Sequence, residues 1–381
     1  MKHKTFELMQ QDKNSAARLG KLTTEHGVIH TPAFMPVGTH ATIKGLYPKD
    51  VEEAGAEIML SNTYHLFLRP GMEVIRKAGG LHKFISWQKP ILTDSGGYQV
   101  FSLALLRKLS DKGVEFQSHI DGFKHFLTPE EVINIQQDLG SDIMMPLDEC
   151  VHYPCGKDQA EVAMKRTINW ARRSHKHLQE HKKHGPTKQQ LLFGIVQGAT
   201  YEDLRSACAK ELTGIDFDGF SIGGVSVGEP SDLIYNILDY TVKLLPRDKP
   251  RYAMGIGYPP DIIEAVERGV DMFDCVVPTR YGRNGTAFTS RGKLIIRNAA
   301  FTDDFKALDD KCGCYVCKNF SRAYLRHLFN AQEMLGLTLL SLHNVYFFLD
   351  LARKIREVIK GNQFNEFKKE FLAGYNNSAC A

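Results

Sequence analysis

The chain has 381 residues, of which 43% are hydrophobic and 24% charged, as in an ordinary soluble globular protein. This composition excludes a mainly disordered chain, and the length allows one large domain with an elaboration. The net charge of +4 is compatible with a polyanionic partner but is weak evidence for one. No stretch reaches the roughly 18 apolar residues that span a bilayer, and the first residues lack a signal peptide's apolar core, so we expect a cytoplasmic protein without a membrane partner.

Short apolar runs alternate with helical patterns from about Ile58 onward. The runs predicted to form strands are residues 57–61, 90–93, 142–146, 191–196, 219–222 and 251–254. Such an alternation of strand and helix is typical of a parallel α/β fold.

One intervening helix has a full set of boundary signals. Thr128 can cap it, Pro129 suits its first position, Glu131 completes a capping box, and Gly140 ends it. Further helices are predicted over residues 158–183, 201–212, 232–245 and 261–268.

The spacing of these elements fits a (β/α)₈ TIM barrel, which typically takes about 250 residues. A doubly wound sheet is the alternative. The barrel is favoured because Asp94, Asp148, Gln197 and the pair Gly223-Gly224 each follow a different predicted strand, on the face where barrel active sites are built. No repeat or flexible linker divides the chain, so we predict a single barrel domain over residues 1–381.

Three cysteines form a tight group, Cys312-x-Cys314-x-x-Cys317, that can wrap a tetrahedral metal ion. Three soft sulfurs with one imidazole suit zinc, and His343 follows a helix predicted over residues 322–335. Three unrelated buried cysteines are the alternative interpretation, and His327 competes with His343 as the fourth ligand. A closed Cys₃His shell would leave no position for water, so the zinc is expected to be structural.

Three acidic residues are candidates for chemistry: Asp94, Asp148 and Asp274. Asp94 follows a predicted strand and precedes two glycines that let backbone N–H groups approach a ligand. From the residues alone, each of the three carboxylates could equally cap a helix or pair with a cation.

Taken together, these segments resemble the bacterial type of tRNA-guanine transglycosylase, or queuine tRNA-ribosyltransferase, over nearly the whole chain. The resemblance rests on Thr93-Asp-Ser-Gly-Gly-Tyr-Gln-Val100, Asp148-Glu-Cys150, Gly194-Ile-Val-Gln-Gly198, Gly223-Gly-Val-Ser-Val-Gly-Glu229, Tyr252-Ala-Met-Gly255, Asp271-Met-Phe-Asp-Cys275, Pro278-Thr-Arg280, Arg283-Asn-Gly285 and the site from Cys312 to His343. It implies a TIM barrel with a zinc-binding subdomain inserted at about residues 295–350, a homodimer, and exchange of the wobble guanine in tRNAs with GUN anticodons.

The resemblance also implies roles for individual residues. Asp274 matches the nucleophile that bonds to the ribose, and Asp94 matches the general acid/base. The residues that match those around the base are Asp148, Gln197, the Gly224 N–H group, Val225 and Cys150. Tyr98 and Met254 match the side chains that pack above and below the ring of the base. Ordinary core packing is the alternative for these two. Arg280 and Arg283 match residues that hold the neighbouring nucleotides.

The incoming base is expected to be 7-aminomethyl-7-deazaguanine, the smaller of the family's two 7-deazaguanine substrates. Val227 stands where the queuine-using eukaryotic enzymes have glycine, and Cys150 matches the bacterial pattern. Val225 departs from the leucine that is usual in bacterial members, which slightly enlarges this wall of the pocket. The zinc segment's basic residues can either contact phosphates or form a solvated face: Lys311, Lys318, Arg322 and Arg326.

Three rival functions are weighed against this expectation. A non-catalytic tRNA-binding accessory subunit would need neither Asp94 nor Asp274. An archaeal-type enzyme normally carries additional RNA-binding domains after the barrel. A barrel glycosidase would explain paired acids but neither the zinc nor the donors and acceptors that suit guanine.

Overall fold

The computed structural model describes residues 5–103, 106–181 and 186–376. Its strands are β1 (Phe6–Gln11), β2 (Arg18–Thr24), β3 (Gly27–Thr31), β4 (Ala33–Gly38), β5 (Met59–Ser61), β6 (Ile91–Thr93), β7 (Arg107–Ser110), β8 (Gly113–Gln117), β9 (Lys124–Leu127), β10 (Ile143–Met144), β11 (Leu191–Val196), β12 (Gly219–Ile222), β13 (Arg251–Ala253), β14 (Met272–Cys275), β15 (Thr286–Thr289) and β16 (Gly292–Ile295).

The helices follow the strands in alternation along most of the chain. They are α1 (Pro48–Glu53), α2 (Thr63–Leu68), α3 (Met72–Ala78), α4 (Leu81–Ile85), α5 (Gly97–Leu103), α6 (Pro129–Leu139), α7 (Lys157–Glu180), α8 (Glu202–Thr213), α9 (Ser231–Leu244), α10 (Pro259–Glu267), α11 (Val277–Arg283), α12 (Tyr315–Asn319), α13 (Arg322–Asn330), α14 (Met334–Lys360) and α15 (Phe364–Asn376), with a 3₁₀ turn at Ala299–Phe301.

Eight parallel strands close into a barrel in the order β4-β5-β6-β10-β11-β12-β13-β14. The closing pair is β14 and β4, with Met272 opposite Ala33 and Asp274 opposite Met35. Buried side chains such as Phe193 fill the interior, so the barrel is packed and is not a pore. The predicted TIM barrel is confirmed, and the doubly wound alternative is wrong because the sheet has no free edge.

Three smaller sheets surround the barrel: β1-β2-β3, β7-β8-β9 and the hairpin β15-β16. The first closes the amino-terminal end of the barrel, because Arg18 of β2 donates to the carboxylate of Asp271, the residue that precedes β14. The hairpin packs with α12, α13 and α14 in a separate apolar cluster. That cluster contains Cys314 and corresponds to the predicted metal-binding elaboration near the C-terminal end.

The predicted boundaries agree closely with the observed ones, and Thr128, Glu131 and Gly140 cap α6 as expected. The helix predicted over residues 158–183 is α7, and positions 182 and 183 lie outside the described residues. The helix predicted over residues 322–335 is wrong in its second half. The chain turns after Asn330, with Gln332 at a φ of 58°, and a new helix, α14, begins at Met334.

Within the described ranges, α14 is the one helix that is long and apolar enough to cross a membrane by length and composition. Its most apolar window has a mean hydropathy of 1.4, yet 61% of that window is buried inside the protein. Asn344 of this helix donates to the carbonyl groups of Pro278 and Thr286, at 2.9 Å each. The helix is therefore placed like the core helix of a globular fold.

Candidate active site and metal centre

The acidic and amide side chains singled out in the sequence lie at the carboxyl ends of neighbouring barrel strands. Asp94 follows β6, Asp148 lies beyond β10, Gln197 follows β11, and Asp274 is the third residue of β14. Because all the barrel strands are parallel, these residues come together in one mouth.

Asp94 is buried and held by donors from the segment after the neighbouring strand β5 and from its own loop. Its Oδ1 accepts hydrogen bonds from the backbone N–H groups of Thr63, at 2.9 Å, and Gly96, at 3.1 Å, while Asn62 donates to Oδ2. Burial raises the pKa of Asp94 to about 6, against the opposing effect of these donors. The carboxyl group can therefore change protonation state near neutral pH, as a general acid/base must.

Asp274 is partly exposed to the mouth. The hydroxyl group of Tyr252 donates to its Oδ1 at 2.6 Å, and the Gly255 N–H group donates to the same oxygen at 2.8 Å. No other hydrogen bond to this carboxylate occurs among the described residues, so Oδ2 is the less engaged oxygen. Burial raises the pKa of Asp274, and the two donors oppose that rise.

Asp148 and Gln197 face each other across the same mouth. Gln197 Nε2 donates to Asp148 Oδ2 at 2.9 Å, and the hydroxyl group of Ser95 donates to Oδ1 at 3.0 Å. Burial raises the pKa of Asp148, although both donors favour its ionised form. Acceptor and donor thus stand side by side, as recognition of an amide-like edge requires.

Gly224 must be glycine for two reasons. Its φ is +61°, and a Cβ atom there would lie 2.5 Å from Gln197 Oε1. The next residue, Val225, is buried. Val227, partly buried, donates its N–H group to Glu229 Oε2 at 2.9 Å, which fixes the turn of this loop.

The two residues expected to sandwich a base differ in environment. Tyr98, at the start of α5, is 48% exposed, so core packing does not explain it. Met254 is partly buried against the cluster inside the barrel. Cys150 is buried beside Asp148, and burial raises the pKa of its thiol to about 12, so it acts as a small apolar wall and not as a thiolate.

The two arginines that follow the strand of Asp274 both lie in α11. Arg280 is exposed, whereas Arg283 is partly buried and donates to the carbonyl group of Thr279 at 3.2 Å. In the segment that carries the cysteine group, Arg322 pairs with Asp304 at 2.9 Å. Lys311, Lys318 and the partly buried Arg326 complete the basic set, and Arg326 also donates to the carbonyl of Asn298 at 3.0 Å.

The cysteine group and His343 form one compact cluster. The ligand atoms of Cys312, Cys314, Cys317 and His343 all lie within 4.8 Å of one another. The three Sγ atoms are 3.9, 3.4 and 3.4 Å from His343 Nδ1. A tetrahedral ion with ordinary Zn–S and Zn–N distances separates its ligands by about 3.3–3.8 Å, so the four donors fit a metal ion.

The hydrogen bond of one ring nitrogen of His343 shows which of its two nitrogens faces the cysteines. His343 Nε2 lies 2.8 Å from the carbonyl oxygen of Phe288, to which only a protonated nitrogen can donate, so Nδ1 faces the sulfurs. His327 is exposed and takes no part in the cluster. The cysteines are therefore not three unrelated buried residues.

Several residues that shape the mouth had no role assigned from the sequence: Asn62, Thr63, Ser95 and Tyr252. Asn62 had a usable signal, since it is a polar residue directly after a predicted strand. Tyr252 had none, because an aromatic residue within a strand pattern is ordinary core. Its hydroxyl group becomes informative only when Asp274 is seen beside it.

Comparison with known proteins identifies the family. A family model described as queuine tRNA-ribosyltransferase matches residues 12–377. The queuine tRNA-ribosyltransferase of Caldanaerobacter subterraneus subsp. tengcongensis is 58% identical over 370 residues, covering 97% of each chain. Those of Desulforudis audaxviator and Halothermothrix orenii are 55% and 53% identical, with at least 97% of every chain covered. The chain therefore belongs to the queuine tRNA-ribosyltransferase family.

Proposed function

We propose that this protein exchanges the wobble guanine of GUN-anticodon tRNAs, those for Tyr, His, Asn and Asp, for 7-aminomethyl-7-deazaguanine. It is a pentosyltransferase by its family. The anticodon loop of the tRNA is the proposed macromolecular partner. The observation that carries the proposal is the grouping of Asp94 and Asp274 with the acceptor–donor pair of Asp148 and Gln197 in one barrel mouth.

The first half of the proposed reaction removes guanine. Asp274 Oδ2 attacks the anomeric carbon of the ribose, the glycosidic C–N bond breaks, and the tRNA is held as an aspartyl ester. The departing base takes a proton from Asp94, whose raised pKa leaves part of it protonated near neutral pH. Tyr252 and Gly255 hold Oδ1, which orients the other oxygen for attack.

The second half reverses these steps with the new base. Asp94, now ionised, takes the proton from the ring nitrogen of the incoming base. That nitrogen displaces Asp274 from the anomeric carbon and restores the free carboxylate. Two inversions return the β configuration, as in retaining glycosidases.

The base is recognised through its polar edges. Its ring N–H and amino groups donate to Asp148, and its carbonyl group accepts from Gln197 and from the Gly224 N–H group. Binding then replaces the bond between Gln197 and Asp148. Tyr98 and Met254 cover the two faces of the ring, where aromatic and thioether surfaces gain dispersion energy.

We expect the smaller 7-deazaguanine to be the incoming base. Val227 stands where the queuine-using enzymes have glycine, and its bulk is proposed to exclude the ring of queuine. The carbonyl group of Val225 is the proposed acceptor for the aminomethyl group, and Cys150 completes this side of the wall.

The flanking nucleotides are assigned to α11. The exposed Arg280 contacts a neighbouring nucleotide or phosphate, and Arg283 supports the same strand of RNA. The target base comes from a loop, so extruding it should cost only the lower part of the few kcal/mol typical for flipping a duplex base.

We assign zinc to the Cys312, Cys314, Cys317 and His343 cluster, with a structural role. Three sulfurs and one imidazole match zinc's preference, and the closed shell leaves no ligand position for substrate. Metal analysis of the purified protein should find one zinc per chain, and Cys317→Ser should lower both zinc content and thermal stability. Zinc at background level in the folded parent would remove this assignment.

Three further expectations complete the proposal. Residues 1–381 form one barrel domain with the zinc subdomain at about 295–350, and the protein acts in the cytoplasm. It forms a homodimer, which is supported by exposed apolar side chains near the metal centre, including Tyr315 and Met334. Sedimentation velocity should give a dimer, and a monomer at micromolar concentration would contradict it.

The first experiment is incorporation of radiolabelled guanine into a GUN-anticodon tRNA. The parent should incorporate label and form an adduct with tRNA that survives denaturation. Asp274→Asn should do neither, whereas the matched control Glu7→Gln, an exposed residue of β1, should behave like the parent. Binding of tRNA without incorporation by the parent would favour a non-catalytic accessory subunit.

A further inference from the structure

Arg205 is a fully buried arginine that points at the loops of the base site. It lies in α8 and has 0% exposure. Its guanidinium group donates to four backbone carbonyl oxygens: Nε to Ala199 at 2.6 Å, Nη1 to Val196 at 3.3 Å, and Nη2 to Gly223 at 2.9 Å and Gly224 at 3.2 Å. No ion pair to Arg205 is formed within the described part of the chain.

A buried charge without a carboxylate partner is costly, and packing alone would be served by an apolar side chain. Burial accordingly lowers the pKa of Arg205. Compensation comes from the carbonyl dipoles and from the hydroxyl group of Tyr240, which faces the same guanidinium, with a smaller contribution from the carboxylate of Glu229. A planar fork with five donors is the side chain that can hold several carbonyl groups at once.

The carbonyl groups that Arg205 holds belong to the two loops that carry the base-binding residues. Val196 ends β11 and is followed by Gln197, while Gly223 and Gly224 follow β12. The helix of Arg205 reaches this region a second time, because the Gln197 N–H group donates to Cys208 Sγ at 3.4 Å. The relative position of the two loops therefore depends on α8.

The bond to Gly223 has a direct geometric consequence. The Gly223 C=O and Gly224 N–H groups belong to one planar trans peptide and point in opposite directions. With the C=O turned toward Arg205, the Gly224 N–H group is turned away from it. A glycine at φ +61° has little to fix this peptide by itself.

We propose that Arg205 is a positioning residue for base recognition: it orients the Gly223–Gly224 peptide so that the Gly224 N–H group meets the carbonyl group of the incoming purine. This inference deepens the proposed function and rests on it. Arg205 itself touches neither the base nor the ribose. Its effect should therefore appear in the binding of bases that carry this carbonyl group.

The test compares Arg205→Lys with Arg251→Lys. Arg251 is a matched control, since it is also buried and donates to backbone carbonyl groups, Leu245 at 2.9 Å and Gly269 at 3.4 Å, but at the opposite end of the barrel. Arg205→Lys should raise the KM for guanine about tenfold, the scale of one lost hydrogen bond, with kcat and the KM for tRNA changed much less. Arg251→Lys should lower Tm without changing the KM for guanine.

A second probe separates orientation from general damage. Competitive binding of 2-aminopurine, which lacks the carbonyl group, should be unchanged in Arg205→Lys, so the preference for guanine over 2-aminopurine should shrink about tenfold. Equal losses for both bases, or an unchanged KM together with a lower Tm, would assign Arg205 to folding alone and overturn the inference.

Two controls keep the outcome interpretable. Guanine incorporation by the parent tests the proposed function itself, independently of the variants. If Arg205→Lys does not fold, Tyr240→Phe removes the hydroxyl group that faces the guanidinium from a half-buried position and should raise the KM for guanine about two- to threefold. An unchanged KM in that variant would then overturn the inference.

Discussion

Carboxylates at the two ends of the barrel have different partners. At the carboxyl end, Asp94, Asp148 and Asp274 are bonded to amide, hydroxyl and backbone N–H donors, and burial raises the pKa of all three. At the amino end, Asp142 is bonded to two imidazoles and Asp271 to a guanidinium group. Hydrogen bonds from His26 and His82 outweigh burial and hold the pKa of Asp142 well below its usual range.

This difference distinguishes carboxylates that are suited to react from carboxylates that stabilise the fold. Neutral donors hold a carboxylate in place but leave it free to exchange a proton or form a bond, as catalysis requires. Cationic partners keep a carboxylate ionised and fix it, which serves only the structure. The N-terminal sheet supplies two such partners: Arg18, which is cationic, and His26, which is cationic when protonated.

The largest expected effect comes from two residues three positions apart. Asp274→Asn should reduce guanine exchange by at least roughly 10³-fold with little change in stability, because it removes the proposed nucleophile. Asp271→Asn should leave the buried Arg18 without its charge partner and lower the free energy of unfolding by about 3–5 kcal/mol. Both variants should be measured by guanine exchange and by urea unfolding. A large loss of stability in Asp274→Asn with little effect on exchange, and the reverse in Asp271→Asn, would contradict the distinction between the two ends of the barrel.

The second prediction concerns stability at pH 8. The pKa of Asp94 is about 6 in the folded protein and 3.8 ordinarily, so the protein loses stability as pH rises through this range and the buried carboxylate ionises. Asp94→Asn removes this loss and should raise the free energy of unfolding at pH 8 by up to about 3 kcal/mol. Asp142→Asn should lower it by about 2 kcal/mol or more, and this loss should shrink progressively as pH falls below about 4 toward the much lower folded-state pKa of Asp142. Equal signs for the two variants at pH 8 would contradict the distinction.

The third prediction concerns the pH dependence of catalysis. The kcat/KM for the incoming base should rise with pH through a midpoint near 6, because ionised Asp94 is the proposed acceptor of the base's proton. Asn62 donates to the ionised form, so Asn62→Ala should raise the pKa of Asp94 and move this limb to higher pH by up to about one pH unit. The control variant His26→Asn, at the amino end of the barrel, should leave the midpoint of this pH dependence unchanged.

The smallest expected effect concerns His26. Its hydrogen bond to Asp142 raises its pKa, so protonated His26 stabilises the fold at low pH and this contribution is lost as pH rises through the folded-state pKa. His26→Asn should therefore be more destabilising at pH 5 than at pH 9, by about 0.5–1 kcal/mol. Thermal unfolding at both pH values measures this, and a constant difference would show that packing, not charge, matters there.

Much of the fold was predictable because its signals are local. The strands recur as short apolar runs, and α6 has Thr128, Glu131 and Gly140 within a single helix. The break between α13 and α14 was missed because Gln332, an ordinary residue, takes the left-handed conformation there. Tertiary packing of two separate helix faces, and not local preference, sets that turn.

The candidate site was predictable only in part. Asp94, Asp148 and Asp274 stand at strand ends, and parallel strands bring such positions together. Their partners could not be deduced, since Asn62 lies 32 positions from Asp94 and Gln197 lies 49 positions from Asp148. Only the three-dimensional fold shows that these donors are amides and that those around Asp142 are imidazoles.

The closure of the barrel through β14 and β4 sets an order in which the site can be completed. A growing chain that has emerged as far as Tyr252 already contains Asp94, Asp148 and Gln197, but neither Asp274 nor the strand that pairs with β4. Since domains are synthesised from the N-terminus, the proposed nucleophile Asp274 is made together with the strand that closes the sheet. If the proposed roles hold, unfinished chains have the base-binding residues without the group that bonds covalently to tRNA.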